Sequence, residues 1–386
     1  MRLFSTILSI GAFAVLFLIN GCSDKEASID VGTKKVFDGN SDKLQQTMIV
    51  PTLDTPMEDG KNIIWCSSFQ LAWNELKDDI VKDSLQLNES NANVVAQRLN
   101  QAKQSLNDLD SSDFYAKAGY VKDQVVETII KEMAAKFPNY DTSHLKAEDG
   151  EVIWVYGYLN ARAKFDIPFV KERLGISFKD IDGKMIQVQS FGLFHSGLEE
   201  RENLAKQIDV LYFKETKDKY GLEEFIIDPC KTTQPYQVIL ACVGHGKTLE
   251  ETIADVETKI REFKPADIPE RERGFMVGDQ LSVPVTCWKI GHDFEELLGK
   301  HLKNKGLKHL FISRSMQDIS FRLDRSGAVV VSEGGVAMVC QPREFIFNRP
   351  FLIYLKKRDG GEPFFAMWVD NAELLNKFEP SAADED

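Results

Sequence analysis

The chain has little of what a metal, redox or disulfide site needs. Its six cysteines, Cys22, Cys66, Cys230, Cys242, Cys287 and Cys340, are scattered across 386 residues with no C-x-x-C pair and no Cys/His spacing suited to zinc. The six histidines, His144, His195, His245, His292, His301 and His309, also lie apart. Neither a serine nucleophile elbow nor a His-Glu-x-x-His pair is present. The reading is therefore of a protein that is not an enzyme and needs no cofactor and no metal. Excess positive charge is absent too. The net charge is -13, and no run of Lys or Arg is interleaved with aromatics, so nucleic acid is not an expected partner. There is no internal repeat, no low-complexity segment and no Pro/Gly-rich linker after residue 48.

What is present begins at the N-terminus. Met1-Arg2 precede an apolar run from Leu3 to Ile19, then Asn20-Gly21-Cys22, after which the chain turns polar. At roughly 17 residues the run is short for a bilayer span and reads as a signal peptide. A small residue followed directly by Cys resembles the bacterial lipoprotein box. That resemblance implies acylation of the Cys22 thiol and removal of residues 1–21. An ordinary signal peptide cut nearby, or an uncleaved anchor, is the plainer alternative. Either export route puts the body outside the cytoplasm, in the cell envelope. For the lipid, Ser23 after Cys22 points to the outer membrane or cell surface, with Asp24 one place further on. Residues 22–47 are polar enough for a flexible spacer, which sets one folded domain at 48–386.

With 43% apolar residues the chain can bury a large core. A helical stripe runs Val95, Leu99, Ala102, Leu106, Leu109; a second runs Val125, Ile129, Met133, Phe137 and stops at Pro138. The N-terminal third is thus expected to be mainly helical. Strand patterns follow at Val152 to Leu159, Lys184 to Phe194, Gln207 to Phe213 and Tyr236 to Val243. Two helices interrupt them, one with Leu249, Ile253, Val256, Ile260 and Phe263 on one face, the other from Asp293 to Gly306. Strands return at Gln317 to Asp324, Glu344 to Lys356 and Pro363 to Val369, with Asp359-Gly360-Gly361 as a hairpin turn. Helices first, then mainly antiparallel strands, predict one α+β domain.

Four segments carry a family resemblance. Phe347-Asn348-Arg349-Pro350-Phe351-Leu352-Ile353-Tyr354 resembles the serpin strand signature that ends Arg/His-Pro-Phe-Leu-Phe. Val152 to Phe169 resembles the serpin strand closing in Lys-Trp-x-x-Pro-Phe, with Phe165 where Trp is usual. Gln207 to Phe213, Tyr236 to Val243 and the helix to Phe263 fall in the family's order. Asn62 to Phe69 stands in the place of its Asn-x-x-x-Ser-Pro-x-Ser helix start, without the Pro and second Ser. The resemblance covers roughly residues 55 to 372. It implies a serpin-like fold, a multi-helix N-terminal part packed on mainly antiparallel sheets with an exposed reactive loop.

It also implies a function. A serpin is a suicide substrate: a protease cuts the loop, forms an acyl-enzyme, and is dragged away as the loop inserts into the middle of a sheet. The hinge here is Gly327, where the family has Glu-Glu-Gly, followed by Ala328-Val329-Val330-Val331-Ser332 in place of an alanine run. Period-2 alternation puts Ala328, Val330, Ser332 and Gly334 on the inner face and Val329, Val331 and Glu333 outside. Val330 is bulkier than the expected alanine, an overfill of about 1–3 kcal/mol. Counting back from Phe347 puts the scissile region at Met338, Val339 and Cys340, whose apolar character implies elastase- or chymotrypsin-like targets. The expected partners are a target serine (or cysteine) protease and a membrane reached through the Cys22 lipid, with the body monomeric. A non-inhibitory serpin-fold binding or structural lipoprotein is the alternative. A competing motif is Ala241 to Thr248, which fits a relaxed phosphate loop, although Thr248 with Glu251 already reads as a helix capping box.

Overall fold

The computed structural model describes residues 33–146, 152–162, 165–193, 196–217, 221–263, 274–325 and 342–379. The compact unit begins at Thr33. Short strands β1 (Phe37–Asn40) and β2 (Thr47–Val50) precede β3 (Asn62–Cys66), which runs straight into α1 (Ser67–Glu75). Then come α2 (Ser90–Gln101), β4 (Phe114–Tyr120), α3 (Val125–Lys136) and the long β5 (Ile153–Arg162). Four short strands follow: β6 (Val170–Lys171), β7 (Ile176–Lys179), β8 (Met185–Val188) and β9 (Ser190–Gly192). Next are α4 (Leu198–Gln207), β10 (Asp209–Glu215), β11 (Leu222–Asp228), β12 (Tyr236–Cys242) and α5 (Leu249–Glu262). The last strands are β13 (Gln280–Pro284), β14 (Thr286–Asp293), β15 (Ile312–Leu323), β16 (Glu344–Ile346), β17 (Phe351–Lys357) and β18 (Phe365–Val369).

The strands form a five-stranded sheet ordered β1-β14-β15-β5-β4, a seven-stranded sheet β10-β11-β12-β17-β18-β3-β2, a four-stranded sheet β16-β13-β9-β6 and the β7-β8 hairpin. The α+β class is as expected. Most pairs are antiparallel, but β1/β14, β2/β3, β13/β16 and, at the centre of the five-stranded sheet, β15/β5 are parallel.

Alternation along β5 explains how the sheet is sandwiched. Ile153, Val155 and Leu159 enter the main core with Phe69, Trp288 and Phe365. Trp154, Tyr156 and Tyr158 face the other way and pack with Val125, Val126, Ile129 and Met133 of α3. A strand buried on both faces has apolar or aromatic residues at successive positions, as this one does. On the opposite side, α1 starts against the sheet at Gly157. A Cβ there would lie 2.6 Å from the Ser68 carbonyl carbon and 2.7 Å from the Phe69 nitrogen, so this close approach needs glycine.

Four expectations are corrected. The folded body includes residues ahead of Met48, because β1 pairs with β14 and the amides of Gln45 and Gln46 donate to Glu373. The N-terminal third holds β1 to β4 as well as helices. The first helical stripe ends at Gln101, leaving Leu106 65% exposed. Its end is drawn off by α1, whose Gln70 donates to the Leu99 carbonyl and whose Asn74 donates to that of Gln104. No helix spans Asp293 to Gly306. Asp293 closes β14, and Gly299, in the middle of the expected helix, takes a φ of +70°, which a helix does not allow. The apolar side chains Phe294, Leu297 and Leu302 are buried from turns instead.

Candidate functional site

The candidate site is the segment between the end of β15 and the start of β16. The hinge residues Gly327, Ala328, Val330, Ser332 and Gly334 and the scissile candidates Met338, Val339 and Cys340 lie outside the described residues, as does Cys22. Both ends of the segment are described. At its start, Asp324 is 2% exposed and accepts hydrogen bonds from Thr33 Oγ1 at 2.7 Å and from Arg322 Nε. Arg325 Nε donates to the Phe169 carbonyl at 3.2 Å. Phe169 sits in a cluster with Phe165, at 4.9 Å between ring centres, and Phe191, at 5.7 Å. The position where Trp was usual is therefore a packed aromatic beneath the loop's first anchor.

At its far end, Arg343 grips the fully buried Asp279 through both carboxylate oxygens, at 3.2 Å from Nε and 2.5 Å from a terminal nitrogen. Charge-assisted bidentate contacts of this kind fix direction as well as position. β16 then pairs parallel with β13. The segment therefore joins the central strand of one sheet to the edge of another.

The strand signature is a brace. Arg349 donates to the carbonyls of Leu222 at 3.1 Å and Glu223 at 2.8 Å, and its guanidinium lies 5.7 Å from the Phe225 ring centre. Phe347 and Phe351 are fully buried around it. Pro350 precedes β17, where a missing N–H costs no ladder bond.

The centre of the five-stranded sheet holds side chains that sequence reasoning did not assemble. Below the β5/β15 seam, Gln317 Nε2 donates to Ser68 Oγ at 2.8 Å and to the Cys66 carbonyl at 3.0 Å. Above it, Asp318 is 4% exposed and accepts from Tyr140 Oη at 2.5 Å and Tyr156 Oη at 3.1 Å, with His144 Nε2 at 3.2 Å. Burial first, and the Asp318 charge second, push both phenols up. Tyr140 and His144 are separated from Asp318 by 178 and 174 positions, so no local spacing could reveal them. The available signal was the one carboxylate in β15, set between Met316 and Ile319.

The competing phosphate loop is occupied by its own side chains. Gly246 N–H donates to Thr252 Oγ1 at 3.0 Å, Lys247 N–H to Glu251 Oε2 at 2.7 Å and Glu251 N–H to Thr248 Oγ1 at 3.1 Å. The Glu251 carboxylate sits where an anion would bind. The cap is as expected at Thr248, but Glu251 reaches back to Lys247 rather than to the cap residue itself.

Cys66, Cys230, Cys242 and Cys287 are buried and form no disulfide among the described residues. Burial pushes Cys66 up to about 12 and Cys242 to about 11, so neither is a ready nucleophile. Among the described residues no group of His, Cys, Asp or Glu could hold a metal, and no helix is long and apolar enough to cross a membrane.

No family model and no curated protein matches the chain. Among solved structures it is similar to the mouse protein-Z dependent protease inhibitor at 14% identity, with a TM-score of 0.47 over 82% of this chain and 91% of the other. It is similar to Serpin48 of the insect Tenebrio molitor, described as a highly specific serpin, at 14% identity and a TM-score of 0.43 over 80% and 92%. Native protease nexin-1 with heparin matches at 13% identity and a TM-score of 0.36, over 64% of this chain and 65% of that one.

Proposed function

We propose that the chain is a serpin-type inhibitor of serine or cysteine endopeptidases, acting as a suicide substrate through cleavage and insertion of residues 326–341. The observation that supports this most is the parallel pairing of β15 with β5, flanked on either side by the antiparallel pairs β14/β15 and β5/β4. The candidate loop continues directly from the end of β15. A loop that turned back between β15 and β5 would run antiparallel to both. One parallel pairing would then be replaced by two antiparallel ones, which are slightly more stable per residue. The sheet is built so that an added strand improves it.

The inner-face residues would be Ala328, Val330, Ser332 and Gly334, and the cut would fall among Met338, Val339 and Cys340 for a protease that prefers apolar residues. Arg325 and Arg343 hold the two ends, so the loop between them can be cut without loosening its anchors. The body acts as a monomer, held to the outer membrane or cell surface by a lipid on Cys22. The bulk of Val330 on the inner face favours a second reading, a non-inhibitory serpin-fold lipoprotein whose loop is cut but enters slowly.

The soluble body mixed with elastase-like and subtilisin-like proteases should give an SDS-stable complex. Cleavage within 326–341 with no such complex overturns inhibition and supports the second reading. Cleavage without a large rise in melting temperature overturns insertion altogether.

A further inference from the structure

We infer that the outer face of the β7-β8 hairpin is a membrane-docking surface that lies on anionic lipid headgroups. The anchor placed beside it rests on the lipid proposed for Cys22; the surface itself stands on the hairpin.

Among the described residues six large apolar side chains are exposed. Three of them, Leu174 (71%), Ile181 (47%) and Met185 (57%), belong to this one hairpin and its approach. Single exposed apolar residues are ordinary, whereas a cluster marks an interaction surface. The register explains the arrangement. Phe178 pairs with Ile186 and Ile176 with Val188, and this row turns inward, with Phe178 and Val188 fully buried in the main core. Lys179 pairs with Met185 and Ser177 with Gln187, so alternation gives these four the outer row. Leu174 adjoins that row, its carbonyl accepting from Gln187 Nε2 at 2.6 Å, and Ile181 stands in the turn between the strands. The hairpin is fixed in this pose. The Asp180 carboxylate accepts from the Lys184 amide at 2.7 Å, and the Lys179 amide donates to the Asn348 carbonyl at 2.8 Å.

Charge identifies the occupant. The chain carries a net charge of -13, yet from 171 to 187 the exposed charges are Lys171, Arg173, Lys179 and Lys184 against Asp182 alone. The other two acids of the stretch are buried: Glu172 accepts from the Ser190 and Ser282 hydroxyls, and Asp180 holds the turn. Beyond the hairpin, Lys377 adds an exposed cation and Glu379 an exposed acid. Apolar side chains set among cations match a bilayer interface, where the first enter the acyl boundary and the second meet phosphates.

Position agrees with charge. The Asn376 carbonyl accepts from the Gln189 amide at 2.8 Å, and its side chain donates to the Lys34 carbonyl at 2.7 Å. Gln189 directly follows β8, so a single residue joins the base of the hairpin to the start of the compact unit. Ten residues separate Cys22 from Thr33, a reach of at most about 40 Å. The turn of the hairpin is roughly 25 Å of strand away from Gln189. A lipid on Cys22 therefore keeps a bilayer within reach of Ile181 and Met185, and the second contact fixes which way the body faces.

The chain from Ser23 onward lacks the anchor and keeps the whole compact unit. It is sedimented with vesicles of phosphatidylcholine alone or mixed with an equal amount of phosphatidylglycerol. Binding should be at least about tenfold stronger on the anionic vesicles. Ile181→Ser combined with Met185→Ser should weaken it about tenfold or more. Lys179→Gln and Lys184→Gln, which leave the apolar row intact, should each weaken it about fivefold. Leu106→Ser, at an exposed leucine elsewhere, should change nothing. No sedimentation with the anionic vesicles, or equal binding by all variants, overturns the docking surface. A dimer that Ile181→Ser with Met185→Ser dissolves assigns the face to a second copy and overturns it too. The mass of the Cys22 peptide from the full chain made in bacteria judges the anchor separately: an unmodified thiol overturns the lipid and leaves the vesicle result to judge the surface.

Discussion

The two large sheets are held together by different physics. In the seven-stranded sheet, β17 and β18 lie at the centre, antiparallel, and the residues from Phe351 to Leu355 and from Phe365 to Val369 are buried. They feed the main core on one face and a second cluster with α5 on the other. In the five-stranded sheet the central pair is parallel and carries Ser315, Gln317 and Asp318 among its buried residues. Apolar burial is non-directional and favours one compact state. Hydrogen bonds such as those made by Gln317 Nε2 and Asp318 are directional and come apart at identifiable contacts. The first sheet is joined at its centre by apolar side chains, and the second carries polar side chains there.

Breaking the foundation should have the largest effect. Phe351 is fully buried, 5.2 Å from the Phe347 ring centre and 6.4 Å from that of Phe178. Phe351→Ala should cost about 3–5 kcal/mol in urea unfolding. The loss should appear as global destabilisation with the relative exchange of the β5/β15 seam unchanged.

A smaller but more telling effect is expected at the five-stranded sheet. Gly157→Ala places a methyl against the backbone of Ser68 and Phe69. Backbone cannot rotate away as a side chain does, so α1 must lift, at about 1–3 kcal/mol. The Gln317 bonds to Ser68 and Cys66 would lengthen with it. Seam amides should exchange faster than in the native chain, and exchange equal to native would show that α1 does not support the seam.

The comparison also marks what the sequence could convey. Strands such as β5, β12 and β18, with dense aromatic and β-branched residues, were readable because burial on both faces leaves one kind of pattern. The α3 stripe, ended by Pro138, and the α5 stripe with its Thr248 cap were readable for the same local reason. The Asp293 to Gly306 segment was not, because its apolar spacing imitates a helix while Gly299 and Gly306 turn the chain. The early start at Thr33 was missed because β1 is polar and half exposed, and its pairing partner lies about 250 residues away in the paired register of Phe37 with Trp288. Parallel pairing at the seam and the contacts of Asp318 with Tyr140, Tyr156 and His144 are tertiary facts. Their residues signal nothing until β5, β15 and the α3 connection meet.

Arg349→Ala bears on the link between the seven-stranded sheet and the return of the loop. It removes two donors from the Leu222 and Glu223 carbonyls and the cation above Phe225. A loss of about 1–2 kcal/mol is expected in chemical denaturation. Arg349→Lys should recover only part of it, since an ammonium lacks the planar fork.

The smallest effect tests the outer edge of the five-stranded sheet. His292, near the end of β14, has Nδ1 at 2.7 Å from Ser41 Oγ and its ring edge-on to Phe294 at 4.6 Å. Burial pushes it down to about 4. In the unfolded chain an imidazole takes up its proton near about 6.5, so between these values the unfolded state binds the extra proton. The neutral ring thus contributes stability that is fully present above the unfolded value and is lost as pH falls toward the folded one. Because the ring is only partly shielded from solvent, the contribution is about 1–2 kcal/mol rather than the full shift. On going from about pH 7.5 to about pH 4.5, the native chain should lose that much more stability than His292→Gln, read by urea unfolding at each pH. Parallel pH profiles for the two proteins would show that the folded sheet does not shield His292 from water at the edge where β1 meets β14.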